Sequence, residues 1–134
     1  MAETMESHAL AAGRTFPWHE CYVPDTEAAI RFYTEALDFG TESTEMGEMG
    51  KYHMLTRNGT PIAGLMSTNA PEMEGVPAHW SVYLSVDDVD ARIAKCVALG
   101  AKVVVPAMDV PSVGRMALIS DPQGAHIWLY TSSN

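Results

Sequence analysis

The sequence has few cysteines and few basic residues. Only Cys21 and Cys96 occur among its 134 residues, which excludes a disulfide framework and any CxxC zinc or redox motif and predicts buried, reduced thiols. Eight Lys and Arg residues face seventeen Asp and Glu residues, giving a net charge of −9. Such a surface repels phosphate backbones and anionic lipids, so we expect neither a nucleic-acid partner nor a membrane partner.

Long hydrophobic runs and a basic N-terminal segment are also missing. No apolar stretch approaches the roughly 20 residues that a bilayer span needs, and residues 1–6 are acidic where a signal peptide would be basic. We therefore expect a cytoplasmic protein. Hydrophobic residues make up 47% of the chain, which excludes wholesale disorder. Residues 1–15 lack periodicity and are predicted to be a flexible leader, with residues 16–134 forming a single domain.

The rest of the chain repeats one order of elements. Residues 16–66 form a first module with a strand, a helix capped by Asp25 and three short strands. A linker over residues 67–78 contains Pro71, Gly75 and Pro77, and residues 79–130 form a second module in which Asp88 caps the helix. A shift of 63 positions places Val23 on Val86 and Asp25 on Asp88. The pattern predicts an α+β fold of two βαβββ modules, whose curved mixed sheets enclose a cavity.

Short motifs in both modules resemble those of a known family, and they are Trp18-His19-Glu20, Gly64-Leu65-Met66, His79-Trp80-Ser81, Gly114-Arg115 and Asp121-Pro122-Gln123-Gly124. On these motifs, residues 16–130 resemble the vicinal oxygen chelate superfamily, which includes glyoxalase I, bleomycin-resistance proteins and extradiol dioxygenases. The resemblance implies the paired-module fold and a homodimer. It does not imply one reaction, because the fold hosts lyases, isomerases, oxygenases and drug-binding proteins.

The resemblance also implies four metal-ligand positions, on the first and last strand of each module. In this sequence they fall on Trp18, Ser81, Trp128 and either Ala63 or Gly64. An indole N–H is only a donor, Ala and Gly carry no donor atom for a metal, and Ser is a weak ligand. We therefore expect no metal and no other cofactor. A divalent metal at a relocated site is the alternative.

Two residues are candidates for acid–base catalysis. Strand alternation puts Trp18, Glu20 and Tyr22 on the cavity face and Cys21 toward the helix. Burial among aromatic rings disfavours the charged form of Glu20, which suits a general base. The alternative is a structural carboxylate bonded to a neighbouring strand. His126 is the second candidate because imidazole titrates near neutral pH, and it could form a proton-transfer pair or a displaced metal site with Glu20.

Aromatic side chains dominate the predicted pocket. Alternation places Ser81 and Tyr83 on one strand face, and His126, Trp128 and Tyr130 on another, while either Tyr52 or His53 lines the pocket in the first module. The predicted ligand-binding residues are Trp18, Tyr22, Tyr52, His53, Ser81, Tyr83, Trp128 and Tyr130. Aromatic walls with a few polar groups suit a flat or apolar ligand. Rings that merely fill the space between the modules are the alternative.

Three functions fit these observations. The first is a protein that binds a small molecule in the cavity between the modules without the family's usual metal. The second is a glyoxalase-like enzyme, whether lyase, isomerase or oxygenase, that uses Glu20 and His126 or a relocated metal. The third is an accessory module that acts only through dimer contacts.

Overall fold

The computed structural model describes residues 15–45 and 51–133. Nearly all of the predicted leader lies outside these residues. Met46, which the sequence predicts as the last residue of a strand that begins at Thr41, also lies outside them. The α+β class and the repeated βαβββ order are confirmed. The elements are β1 (Trp18–Val23), α1 (Thr26–Leu37), β2 (Gly40–Glu45), β3 (Lys51–Arg57), β4 (Thr60–Ser67), β5 (His79–Ser85), α2 (Val89–Ala98), β6 (Lys102–Val110), β7 (Gly114–Ser120) and β8 (His126–Ser132). They form two compact units.

The first unit, His19–Trp80, has the strand order β2-β3-β4-β1. Strands β1 and β4 are parallel, whereas the other neighbours are antiparallel. Helix α1 begins where the Asp25 carboxylate accepts the backbone N–H of Ala28 at 3.0 Å, as the sequence predicts. It ends at Leu37, and the next residue, Asp38, has a left-handed φ of 63°. The unit's core lies on the helix side of the sheet and contains Cys21, Ala29, Leu55, Ala63 and Leu65.

The second unit contains residues 15–18 and 81–133 among those described, and its strand order is β5-β8-β7-β6. Strands β5 and β8 are parallel, and the other pairs are antiparallel. The Asp88 carboxylate accepts the N–H of Ala91 at 3.0 Å and begins α2. Gly100 follows the helix with a φ of 107°, as expected of a left-handed residue at a helix end. Ala101, Ile119 and Leu129 form the core beside α2.

Strand β6 is longer than the sequence predicts. Residues 103–106 are predicted as a strand that stops at Pro106, but the strand runs from Lys102 to Val110. Its pairing with β7 shifts register between Val103 and Val105 and again between Val105 and Met108. Because β6 is the last strand in its unit's order, a proline without an N–H is tolerated within the second shift.

The predicted linker contains a short 3-10 turn, Pro71–Met73. Neither helix in the described part of the chain is long and apolar enough to cross a membrane. The cavity between the modules stays a prediction.

Candidate functional site

The register of the first unit separates the two faces of its sheet. Glu20 lies opposite Gly64, and Gly64 lies opposite Met54, so these residues share one face. Cys21, Leu55 and Ala63 lie on the other face, in the core beside α1. Of the two positions that the sequence left open on β4, Gly64 is therefore the one that shares a face with Glu20.

Buried Glu20 and Gly64 form a cluster with half-buried Tyr52, which we call the Glu20 cluster. Glu20 is only 4% exposed, and Oε2 of its carboxylate accepts a hydrogen bond from the Tyr52 hydroxyl at 2.6 Å. A Cβ atom on Gly64 would collide with that hydroxyl and with Glu20 Oε2. Glycine at this position therefore leaves the space in which the two polar side chains meet. A phenol and a carboxylate at this distance form a strong hydrogen bond between strands that are distant in sequence.

Tyr52 and His53 lie on opposite faces of β3. His53 lies opposite Leu65, on the face that contains Leu55, and its Nδ1 is 2.8 Å from the Ser43 hydroxyl. Strand alternation therefore places His53 on the face opposite that of Glu20, and its role as a ligand-binding residue stays a prediction. Tyr52 is the residue of this strand that reaches Glu20.

Tyr22 has an aromatic partner that the sequence did not indicate. Its ring stacks on His79, with ring centroids 4.9 Å apart and planes 12° from parallel. His79 donates from Nδ1 to the Pro77 carbonyl, 2.7 Å away, since a carbonyl can only accept. The histidine is therefore oriented by the end of the linker, and no spacing in the sequence pairs it with Tyr22.

The second unit carries an aromatic face. Tyr83 lies opposite Trp128, and Ser85 lies opposite Tyr130, so the predicted sharing of faces on these two strands is confirmed. The side chains of Ser81, Tyr83, Trp128 and Tyr130 are all buried. The rings of Tyr83 and Trp128 are stacked, with centroids 5.3 Å apart and planes 6° from parallel. We call these four residues the aromatic face.

Two polar groups of the aromatic face differ in their bonding. The Tyr130 hydroxyl donates to the Val113 carbonyl at 2.8 Å. Trp128 is 6% exposed, yet none of the described residues offers an acceptor to its indole Nε1. A buried donor left without any partner costs about 1–3 kcal/mol, so an acceptor for this N–H would be favourable.

The two candidate catalytic residues lie in different units and differ in exposure. Glu20 is buried in the first unit, whereas His126 is exposed at the start of β8. His126 lies opposite Ser120 in the second unit. The proposed proton-transfer pair of Glu20 and His126 therefore stays a prediction, and so does Trp18 as a ligand-binding residue, although its ring is buried.

The Cys21 thiol and the Arg115 guanidinium interact with other groups of the protein. Burial raises the pKa of the Cys21 thiol, a hydrogen bond with the Tyr33 hydroxyl lowers it by less, and the charge of Glu20 makes the smallest contribution, which raises it. This thiol is therefore protonated at neutral pH and is not a nucleophile. Arg115 forms ion pairs with Asp90 at 2.8 Å and Asp109 at 3.2 Å. Because its positive charge is already paired with these carboxylates, we assign Arg115 no role in ligand binding.

The positions that the resemblance assigns to metal ligands do not fit a divalent metal. Trp18 and Trp128 offer indole donors, Gly64 has no side chain, and only the Ser81 hydroxyl could contribute an oxygen. Within residues 15–45 and 51–133, no three His, Cys, Asp or Glu side chains are grouped so that they could hold a metal ion.

Comparison with known protein families identifies the class of protein to which this chain belongs. The model of the Glyoxalase/Bleomycin resistance protein/Dioxygenase superfamily matches residues 15–129, and the chain belongs to this superfamily. Among solved structures, the fold is similar to that of methylmalonyl-CoA epimerase from Mycobacterium tuberculosis. That match has a TM-score of 0.62 at 18% identity and covers 92% of this chain and 93% of the epimerase. At this identity it shows the fold alone.

Two curated relatives are closer in sequence. "Putative glyoxylase CFP32" from Mycobacterium tuberculosis is 40% identical over 111 residues, which cover 83% of this chain and 41% of that protein. "Anthracycline biosynthesis protein DnrV" from Streptomyces peucetius is 31% identical over 121 residues, which cover 81% of this chain and 43% of that protein. The chain thus spans about two fifths of the length of the curated relatives it matches.

Proposed function

We propose that this protein binds a flat aromatic small molecule through its aromatic residues, without the metal centre that its family resemblance implies. The observation that carries the proposal is the stacked Tyr83–Trp128 pair on the sheet face opposite α2. An aromatic pair of this kind offers a large, rigid contact area to a flat ring system. The name of one relative supports the same ligand chemistry, because an anthracycline is a flat polycyclic aromatic molecule.

Electrostatics favour a neutral or cationic ligand. The net charge of −9 repels anions and attracts cations. A positively charged aromatic molecule would also gain from cation–π contact with the rings. An amino-sugar anthracycline such as daunorubicin combines a flat ring system with one positive charge, and it is therefore the probe that we choose.

We expect metal-free protein to bind daunorubicin and Trp128→Leu to weaken this binding at least tenfold, because leucine removes the stacking partner of Tyr83. Trp80→Leu is the matched control, since the Trp80 ring is 47% exposed and contacts Tyr33. Isothermal titration after chelator treatment measures both affinities.

We also propose that the protein is a homodimer, because two copies of this chain approach the length of the curated relatives. In analytical ultracentrifugation the sample used for titration should therefore sediment as a dimer.

Two results would contradict this proposal. Absence of daunorubicin binding would count against the ligand class, and so would equal affinity of the Trp128→Leu and wild-type proteins. Binding that appears only after reconstitution with Mn, Fe, Co, Ni or Zn, with near-stoichiometric metal retained after desalting, would show a relocated metal site.

A second candidate function, supported by the Glu20 cluster, is a glyoxalase-like enzyme. A buried carboxylate held by a tyrosine hydroxyl at 2.6 Å can accept a proton from a carbon next to a carbonyl group. The word glyoxylase in the name of one relative agrees with a carbonyl substrate. In this mechanism Tyr52 orients the carboxylate, and Glu20 is the catalytic base.

We expect Glu20→Gln to lower such a turnover by roughly 10²–10⁴-fold while the fold is retained, since the amide oxygen can still accept from Tyr52. The assay is isomerisation of the methylglyoxal–glutathione hemithioacetal, with α-proton exchange in D₂O followed by NMR. Glu42→Gln is the control, because Glu42 is exposed on β2. Unchanged turnover in Glu20→Gln would remove the enzyme hypothesis in this form.

A further inference from the structure

The indole N–H of Trp128 is a polar group of the aromatic face to which the described residues offer no acceptor. Its Nε1 is buried, and no acceptor for it exists among the residues that the structure describes. Nearly all buried donors in proteins have a partner, so an exception on a candidate binding face points to a partner beyond the described residues, and a bound molecule is the one that the proposed function supplies.

Two other aromatic side chains of the protein show how such donors are normally bonded. The Tyr130 hydroxyl, two residues further along β8, donates to the Val113 carbonyl. The exposed indole of Trp80 donates to the Tyr33 hydroxyl at 3.1 Å. The donors of Tyr130 and Trp80 thus have acceptors, whereas that of Trp128 has none among the described residues. Because Trp128 is buried, the lack of a hydrogen bond costs more there than at an exposed residue.

The geometry of the indole restricts what can bond to it. An indole N–H lies in the plane of its ring, and the Tyr83 ring already covers one face of that plane. An acceptor must therefore approach the edge of the indole, about 2.9 Å from Nε1. An oxygen that projects from the edge of a flat ring system meets this requirement, whereas a ligand with only donor groups does not.

We infer that Trp128 donates a hydrogen bond to a neutral, ring-conjugated carbonyl oxygen of the bound molecule, which makes flat aromatic ketones and quinones the ligand class. The acidic charge of the protein disfavours a carboxylate or phosphate acceptor at the same place. Because Trp128 is 6% exposed, the side chains that cover it move when the ligand enters. This inference rests on the proposed binding function.

The test compares two tricyclic probes that differ in one group, 9-fluorenone with its carbonyl and fluorene with a methylene. We expect wild-type protein to bind fluorenone about tenfold more tightly than fluorene. In ¹⁵N-labelled protein, fluorenone should move the Trp128 Nε1–H resonance downfield, and fluorene should not. Trp128→Phe, which keeps an aromatic ring and removes the donor, should bind the two probes equally, whereas Trp80→Phe should keep the preference.

The outcomes separate this inference from the proposed function. Equal binding of both probes to wild-type protein, or a preference that persists in Trp128→Phe, would overturn the hydrogen bond and leave ring binding intact. Failure of both probes to bind would count against the ring-binding function as well. If Trp128→Phe does not fold, the wild-type affinities and the indole resonance still decide between these results.

Discussion

Gly64→Ala should destabilise the protein by about 2–4 kcal/mol. The new Cβ would occupy the place of the Tyr52 hydroxyl and of Glu20 Oε2. The rigid Tyr52 side chain must then move away, and the Glu20 carboxylate loses the hydrogen bond that this tyrosine donates. Urea unfolding, followed by far-UV circular dichroism, measures the loss of free energy.

A double-mutant cycle isolates the cause of this loss. Tyr52→Leu removes the hydroxyl together with the aromatic ring, so Gly64→Ala should cost less in that background than in the wild type. Additive costs would mean that the collision with Tyr52 is not what makes glycine necessary. If the enzyme hypothesis holds, Gly64→Ala should also lower turnover, because the carboxylate is no longer oriented.

Gly114→Ala should have a still larger effect, of about 3–5 kcal/mol. Gly114 has a φ of 152°, which strains an alanine. Its Cβ would also collide with the backbone carbonyl of Thr131 and lie 2.8 Å from Cε1 of Tyr130. Since backbone on a paired strand cannot rotate aside, β7 and β8 must separate locally. The Tyr130 ring of the aromatic face would move with them.

Gly124→Ala is the matched control for this effect. Gly124 also has a positive φ, of 99°, but its Cβ would meet no described atom within 4 Å. Its substitution therefore adds strain without a collision and should cost about 1–2 kcal/mol. Denaturant unfolding compares the two variants, and equal costs would show that the contact with Thr131 and Tyr130 is unimportant.

Local features of the sequence predicted much of the fold. Asp25 and Asp88 cap their helices through their own side chains, and strand alternation alone placed Tyr83 and Trp128 on the faces they occupy. The path of β6 through Pro106 was not predictable, because a proline is tolerated there only through the position of the strand in the sheet. That position is set by pairing with β7 and not by the local sequence.

The candidate site was predictable in part. Alternation identified Glu20 as a buried carboxylate, but its partner Tyr52 is 32 residues away and belongs to a different strand. Choosing Tyr52 over His53 requires the register of β3 against β4, which no spacing in the sequence provides. The lack of an acceptor for the Trp128 indole N–H among the described residues was also not predictable from the sequence, because it depends on which groups surround the ring in the folded protein.

The outermost strands of the two units bear on how the protein behaves when concentrated. In the first unit β2 lies at one end of the strand order, all six of its residues are exposed, and two of them are Glu42 and Glu45. In the second unit β6 contains Pro106 and two register shifts. Charges, prolines and bulges at such positions block strand addition from another molecule. The protein should therefore resist fibril-like aggregation, and we expect the proposed homodimer not to pair through these strands.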